Sequence, residues 1–182
     1  MVQAIANYPG RPKTFSSLQS IIVGGAPVSP QIMDRAKSLG CKNLAVGYGM
    51  SEGVLTVFDV QDAGTAKPRT NGDVSVGPAV AGARIRICEP GSRKPLRRGE
   101  LGELHQGGLP VFGGYLGLSH ESCYQEDGMN FIATGDQAYM DDEGYVYLLG
   151  RYKDLIIRGG ENISPTKIEQ CLAKSKGVMV SC

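Results

Sequence analysis

Short apolar runs punctuated by glycine dominate this chain, and two stretches carry the spacing of an amphipathic helix. Leu18 to Val23 (Leu-Gln-Ser-Ile-Ile-Val) predicts a short buried strand that stops at Gly24-Gly25-Ala26-Pro27. Ser29 then suits an N-cap, and Pro30 suits the first helical position, where its missing N–H costs nothing. Ile32, Met33, Ala36 and Leu39 fall on one helix face, and Gly40 ends the element. A second strand, Leu44 to Tyr48, leads into Gly49-Met50-Ser51-Glu52-Gly53. Strand, helix and strand predict a βαβ-like unit, and open α/β sheets bind ligands at the carboxyl ends of such strands.

From Gly64 to Gly77 the chain turns polar and glycine-rich, as expected of a surface loop. Beyond it the period shortens to two. Ala83 to Cys88 alternates strictly, Pro90 to Pro95 is a turn, and Gly102 to His105 begins another strand. The apolar run Phe131-Ile132-Ala133 precedes a Thr134-Gly135-Asp136 turn, and Asp141 to Gly144 forms a tight turn before a strand over Tyr145 to Leu149. After Lys153 come a strand (Leu155 to Ile157), a Gly159-Gly160 turn, and a helix capped by Ser164 with Pro165 first and Ile168, Cys171 and Leu172 as its stripe. Val178 to Val180 reads as the start of a further strand. The predicted class is α/β. Residues 1–77 form the end of an α/β sheet subdomain, 78–152 a small β-rich, barrel-like one, and 153–182 the start of an α+β unit.

Composition narrows the function. The 182 residues suffice for one ordinary domain or two small ones. Lys and Arg number 19 against 18 Asp and Glu, and a net charge of +1 gives no electrostatic footprint for nucleic acid. The 26 glycines suit turns and close backbone approaches to a ligand. Five cysteines, an odd count with no Cys-x-x-Cys pair, argue against a disulfide framework or zinc site and for a reducing, cytoplasmic setting. Neither His105 nor His120 has an obvious nucleophile beside it in sequence. No signal pattern opens the chain, and no apolar run approaches the ~20 residues of a membrane span.

Five ordered blocks resemble the adenylate-forming superfamily of acyl-CoA synthetases, aryl-CoA ligases, luciferases and peptide-synthetase adenylation domains. They are Gly24 to Pro27; Gly47-Tyr48-Gly49-Met50-Ser51-Glu52; Gly102-Glu103-Leu104 through Gly113-Gly114-Tyr115; Thr134-Gly135-Asp136; and Gly150-Arg151 through Pro165. The resemblance implies ATP, Mg²⁺ and CoA as ligands and a carboxylic acid as substrate. Activation of the acid as an acyl-adenylate would precede transfer to CoA or, alternatively, to a carrier-protein thiol.

It also implies a nucleotide site of Gly25, Ala26, Pro27, Gly47, Tyr48, Gly49, Met50, Ser51, Asp136 and Arg151. Tyr48 offers a flat face for a purine, or is a strand-end aromatic of the core. Ser51 can donate to the α-phosphate and Glu52 can ligate Mg²⁺, or the pair caps a helix. Asp136 can accept from both ribose hydroxyls, or caps its own turn. Arg151 supplies a permanent cation, or is a solvated surface residue. Lys153 is implied as the hinge to a C-terminal lid, and Gly159-Gly160 as the wall of the pantetheine tunnel, against a plain hairpin turn and an ordinary exposed lysine. The family's phosphate loop ending in Pro-Lys-Gly and its late catalytic lysine have no counterpart here. Lys167, Lys174 and Lys176 fall too early to replace the latter. The expectation is therefore a fragment with an exposed sheet edge, poor autonomous stability and no full adenylation activity, from a cytoplasmic or peroxisomal parent, or else a non-catalytic remnant.

Overall fold

In the computed structural model the described residues are 2–10, 12–25, 28, 30–62, 74–117, 121–172 and 175. The chain opens with α1 (Val2–Ala6) and β1 (Ser20–Val23), followed by α2 (Pro30–Ser38), β2 (Asn43–Met50) and β3 (Gly53–Asp62). β1 and β2 run parallel with α2 between them, so the βαβ-like unit is present, and β2 turns back antiparallel onto β3. Helix α2 buries Met33 and Ala36, with Leu39 buried just beyond its end. Ala26, Pro27 and Ser29 lie outside the described residues. Two elements depart from expectation. α1 forms in the polar stretch ahead of Pro9, Gly10 and Pro12, where no apolar period points to a helix. β3 escapes the alternation rule because Leu55 holds a left-handed backbone (φ 46) and the β2–β3 register shifts between Tyr48 and Met50.

The second sheet comprises β4 (Ser75–Gly77), β5 (Ala83–Cys88), β6 (Gly102–Gly108), β7 (Cys123–Glu126), β8 (Met129–Met140) and β9 (Val146–Arg151). All its pairings are antiparallel, in the order β4-β9-β8-β6-β5 with β7 on β8. Two corrections follow. Ser75 to Gly77 is a buried strand and not the end of a surface loop, and Thr134 to Asp136 lies inside β8 and not in a turn. The sheets share one core. Leu44 and Val46 of β2, Val57 of β3, Val76 of β4, Leu104 of β6 and Ala138 of β8 belong to a single buried cluster. Backbone bonds Phe58 N–H to Pro78 O (3.1 Å) and Val80 N–H to Thr56 O (3.1 Å) stitch β3 to the chain entering the second sheet.

Past β9 a single 3₁₀ turn (Tyr152–Asp154) leads to the hairpin of β10 (Ile156–Arg158) and β11 (Glu161–Ile163), then to α3 (Pro165–Leu172). Gly159 and Gly160 form the two-residue hairpin loop with φ of 61 and 85, the type I′ geometry that residues bearing a side chain rarely enter. Ser164 precedes α3 as expected, but its hydroxyl donates to Leu149 O at 2.7 Å, tying this unit to β9. Val178 to Val180 lies outside the described residues. Among those described, no helix is long and apolar enough to cross a membrane.

Candidate nucleotide site

A β-bulge builds the centre of the site. In the β6–β8 ladder Glu103 pairs with Gln137 and His105 with Ala133, so Leu104 alone faces Thr134, Gly135 and Asp136. The surplus residues lose their ladder partners and are satisfied by side chains. The Thr134 hydroxyl donates to Leu104 O at 2.8 Å and accepts from Asp136 N–H at 3.1 Å. Gly135, at φ 75, donates its N–H to Glu103 Oε1 at 3.1 Å. Thr134-Gly135-Asp136 resembles a turn in sequence because a bulge and a turn need the same residue types.

The bulge aims Asp136 at two partners. Arg151 stands opposite it on β9, and its Nε–H donates to Asp136 Oδ1 at 3.0 Å. From the other sheet, the Tyr48 hydroxyl donates to Asp136 Oδ2 at 2.6 Å. Asp136 is 7% exposed, whereas the Arg151 side chain is 48% exposed. Burial, then the negative charge of Asp136, pushes the Tyr48 hydroxyl far above the usual phenol range, so it stays a proton donor. Tyr48 is half-buried and packs against the core, so its core role and its contact with Asp136 coexist.

The rest of the predicted set lies along β2 and its turn. Gly24 approaches the carbonyl of Gly47 so closely that a Cβ would stand 2.8 Å from its oxygen. Gly25, at φ 77, faces open space. A side chain at Gly49 would run into the backbone of Leu55, so glycines at 47 and 49 let β3 close on β2. Met50 ends β2, and exposed Ser51 and half-buried Glu52 make the turn into β3 rather than capping a helix. Glu52 is tied to a neighbouring loop: its carbonyl accepts from Phe112 N–H at 2.9 Å, and its Oε1 accepts from the Tyr115 hydroxyl. That bond is the main reason the Tyr115 hydroxyl titrates above its usual range. Among the described residues no three His, Cys, Asp or Glu converge as a metal cage. A cation at Glu52 would take further oxygens from its own ligand, as Mg²⁺ does with phosphates.

Tyr48, Asp136 and Arg151 are thus in direct contact. Lys153 follows Arg151 by two residues on the exposed 3₁₀ turn, and Gly159-Gly160 sits in the separate β10–β11 hairpin. Sequence reasoning assigned no role to Glu103, Tyr115 or His105. All three stood inside the quoted block from Gly102 to Tyr115, but nothing in the sequence singled them out within it. His105 is 2% exposed, with Nδ1 2.8 Å from the Tyr124 hydroxyl and Nε2 3.8 Å from Glu103, beyond hydrogen-bond range. Burial lowers its pKa, outweighing the opposing pull of Glu103.

Residues 1–116 match the AMP-binding enzyme family. Feruloyl-CoA synthase of Amycolatopsis sp is 35% identical over 98% of this chain and 35% of its own length. Acyl-CoA ligase sidI of Aspergillus fumigatus is 33% identical over 100% of this chain and 31% of its own. The O-succinylbenzoate coenzyme A synthetase (MenE) of Bacillus subtilis, in complex with ATP and magnesium ion, superposes with a TM-score of 0.74 at 27% identity, covering 95% of this chain and 34% of that one. The chain spans about a third of the length of the curated relatives it matches. With these matches added to the ordered motifs and the fold, the chain belongs to the AMP-binding enzyme family.

Proposed function

We propose that this chain forms the adenosine-gripping part of an ATP-dependent carboxylic acid–CoA ligase. The observation that carries this is Asp136, a buried carboxylate held by Tyr48 and Arg151. Each of its oxygens keeps a second lone pair for a ribose hydroxyl. Arg151 spends its Nε on Asp136 and keeps its Nη donors for ribose or phosphate. The exposed part of the Tyr48 ring faces the purine, with Gly25 on its other side; Gly47, Gly49 and Met50 complete the nucleotide set along β2, and Gly47, Tyr48 and Gly49 line the floor of the acid pocket. Ser51 donates to the α-phosphate. Glu52 would hold the Mg²⁺ of the nucleotide, which would neutralise phosphate charge there; its Oε1 accepts from the Tyr115 hydroxyl.

In the reaction a substrate carboxylate oxygen bonds to the α-phosphorus, and pyrophosphate leaves with the electrons of the broken P–O bond. The thiol of CoA then attacks the acyl carbon, loses its proton, and AMP leaves. Lys153 acts as the pivot between the two half-reactions, since such gating places the φ/ψ change on a few junction residues. Gly159-Gly160 lies along the pantetheine arm in the second. The relatives described above support CoA as the thiol acceptor, because feruloyl-CoA synthase and the coenzyme A synthetase carry it in their names.

Titration calorimetry with AMP tests the grip. Saturable binding is expected, weakened about 10- to 100-fold in Asp136→Asn, the scale of a hydrogen bond to a charged group. Equal binding by the variant would overturn the assignment.

A further inference from the structure

We propose that Glu103 is a positioning residue for Asp136, its carboxylate replacing the ladder partner that the bulge takes from Gly135; this rests on Asp136 as the ribose grip. The Glu103 side chain is only 13% exposed, and it receives two backbone donors from different parts of the chain. Gly135 N–H bonds Oε1 at 3.1 Å, and Gly91 N–H, from the β5–β6 connection, bonds Oε2 at 3.1 Å. Two N–H groups meeting at one point need a side chain that only accepts, with two oxygens. A carboxylate meets that need, and a carboxamide would turn its NH₂ against one of the donors. Such charge-assisted bonds are also stronger than neutral ones.

The consequence for the site is geometric. Gly135 immediately precedes Asp136, and its left-handed backbone sets the direction in which the Asp136 carboxylate leaves the strand. Thr134 fixes the bulge from the Leu104 side, and Glu103 fixes it from the Gly91 side. Among the described residues Glu103 hydrogen-bonds the Gly91 and Gly135 amides and neither Tyr48 nor Arg151. It acts through the backbone.

Two measurements on the chain test this: amide hydrogen exchange at Gly135, read by NMR, and AMP affinity by calorimetry. Glu103→Ala is expected to speed Gly135 exchange and to weaken AMP binding, each by about tenfold or more. Glu103→Gln, which keeps the volume and one acceptor, should recover part of both effects, and it carries the test should the alanine variant fail to fold. Glu89→Ala, which removes an exposed ion pair with Lys94, should change neither. Unchanged Gly135 exchange in the Glu103 variants overturns the proposal whatever happens to AMP. Faster exchange with wild-type AMP affinity leaves Glu103 a brace of the sheet and also overturns it. A wild-type chain that ignores AMP, or an Asp136→Asn variant that binds it equally well, overturns the ribose grip instead, with Gly135 exchange still reporting on the brace.

Discussion

Asp136 has no spare tolerance in its surroundings, because the Tyr48 hydroxyl and the Arg151 Nε–H each occupy one of its oxygens. Tyr48→Phe keeps the ring and removes one donor. It should cost about 1.5–3 kcal/mol of stability, the worth of a hydrogen bond to a charged group, seen as a lower urea midpoint. An unchanged midpoint would mean that water replaces the hydroxyl without loss. His105 governs a different property. Its folded-state pKa is depressed by burial, so the unfolded chain binds more protons as the solution acidifies. The stability that His105 contributes is complete above its unfolded pKa near 6.5 and is lost as pH falls from there through its folded value. Arg86 and Arg93 oppose its protonation and Glu103 favours it. Urea midpoints from pH 7.5 down to pH 5.5, a window of about one unit either side of the ordinary histidine pKa, should fall less steeply in His105→Gln than in the wild type. Parallel slopes would remove His105 from the acid response.

At the scale of elements, the junction of β3 with β6 is closely packed. Gly53 lies against the Gln106 side-chain amide, whose Oε1 accepts from the Thr56 hydroxyl at 2.7 Å in a fully buried setting. Gly53→Ala forces that amide aside and should cost about 1–3 kcal/mol, read as a lower unfolding midpoint. Helix α2 and strand β5 were legible because their apolar spacing follows a single period, and β1 and β2 because glycine turns end short apolar runs. β3 was not, since the left-handed Leu55 and the register shift break the alternation. The Thr134 to Asp136 segment was legible as chemistry and misjudged as geometry, because glycine and aspartate serve bulges and turns equally well. Glu103 was invisible as a functional residue. Its partners are backbone amides, and no side-chain pattern announces them.

For the whole molecule, the two sheets meet on one core, and on the opposite face of the β1-β2-β3 sheet two apolar side chains stand exposed among the described residues. Ile22 and Val60, 68% and 59% exposed, flank buried Ala45 in one row across the three strands. Apolar rows of this kind favour self-association. Val60→Lys should raise the monomer fraction in sedimentation while shifting stability by no more than about 0.5 kcal/mol. Unaltered sedimentation would show that this face is not the sticky one. The bond between Tyr48 and Asp136 joins positions 88 residues apart. On a ribosome, at about 5–20 residues per second, Tyr48 therefore waits several seconds for its partner, and Arg151 emerges later still. Through that interval the nascent chain has β2 without the Tyr48–Asp136–Arg151 cluster. A ligand that binds only the finished cluster would favour the last step of assembly and none before it.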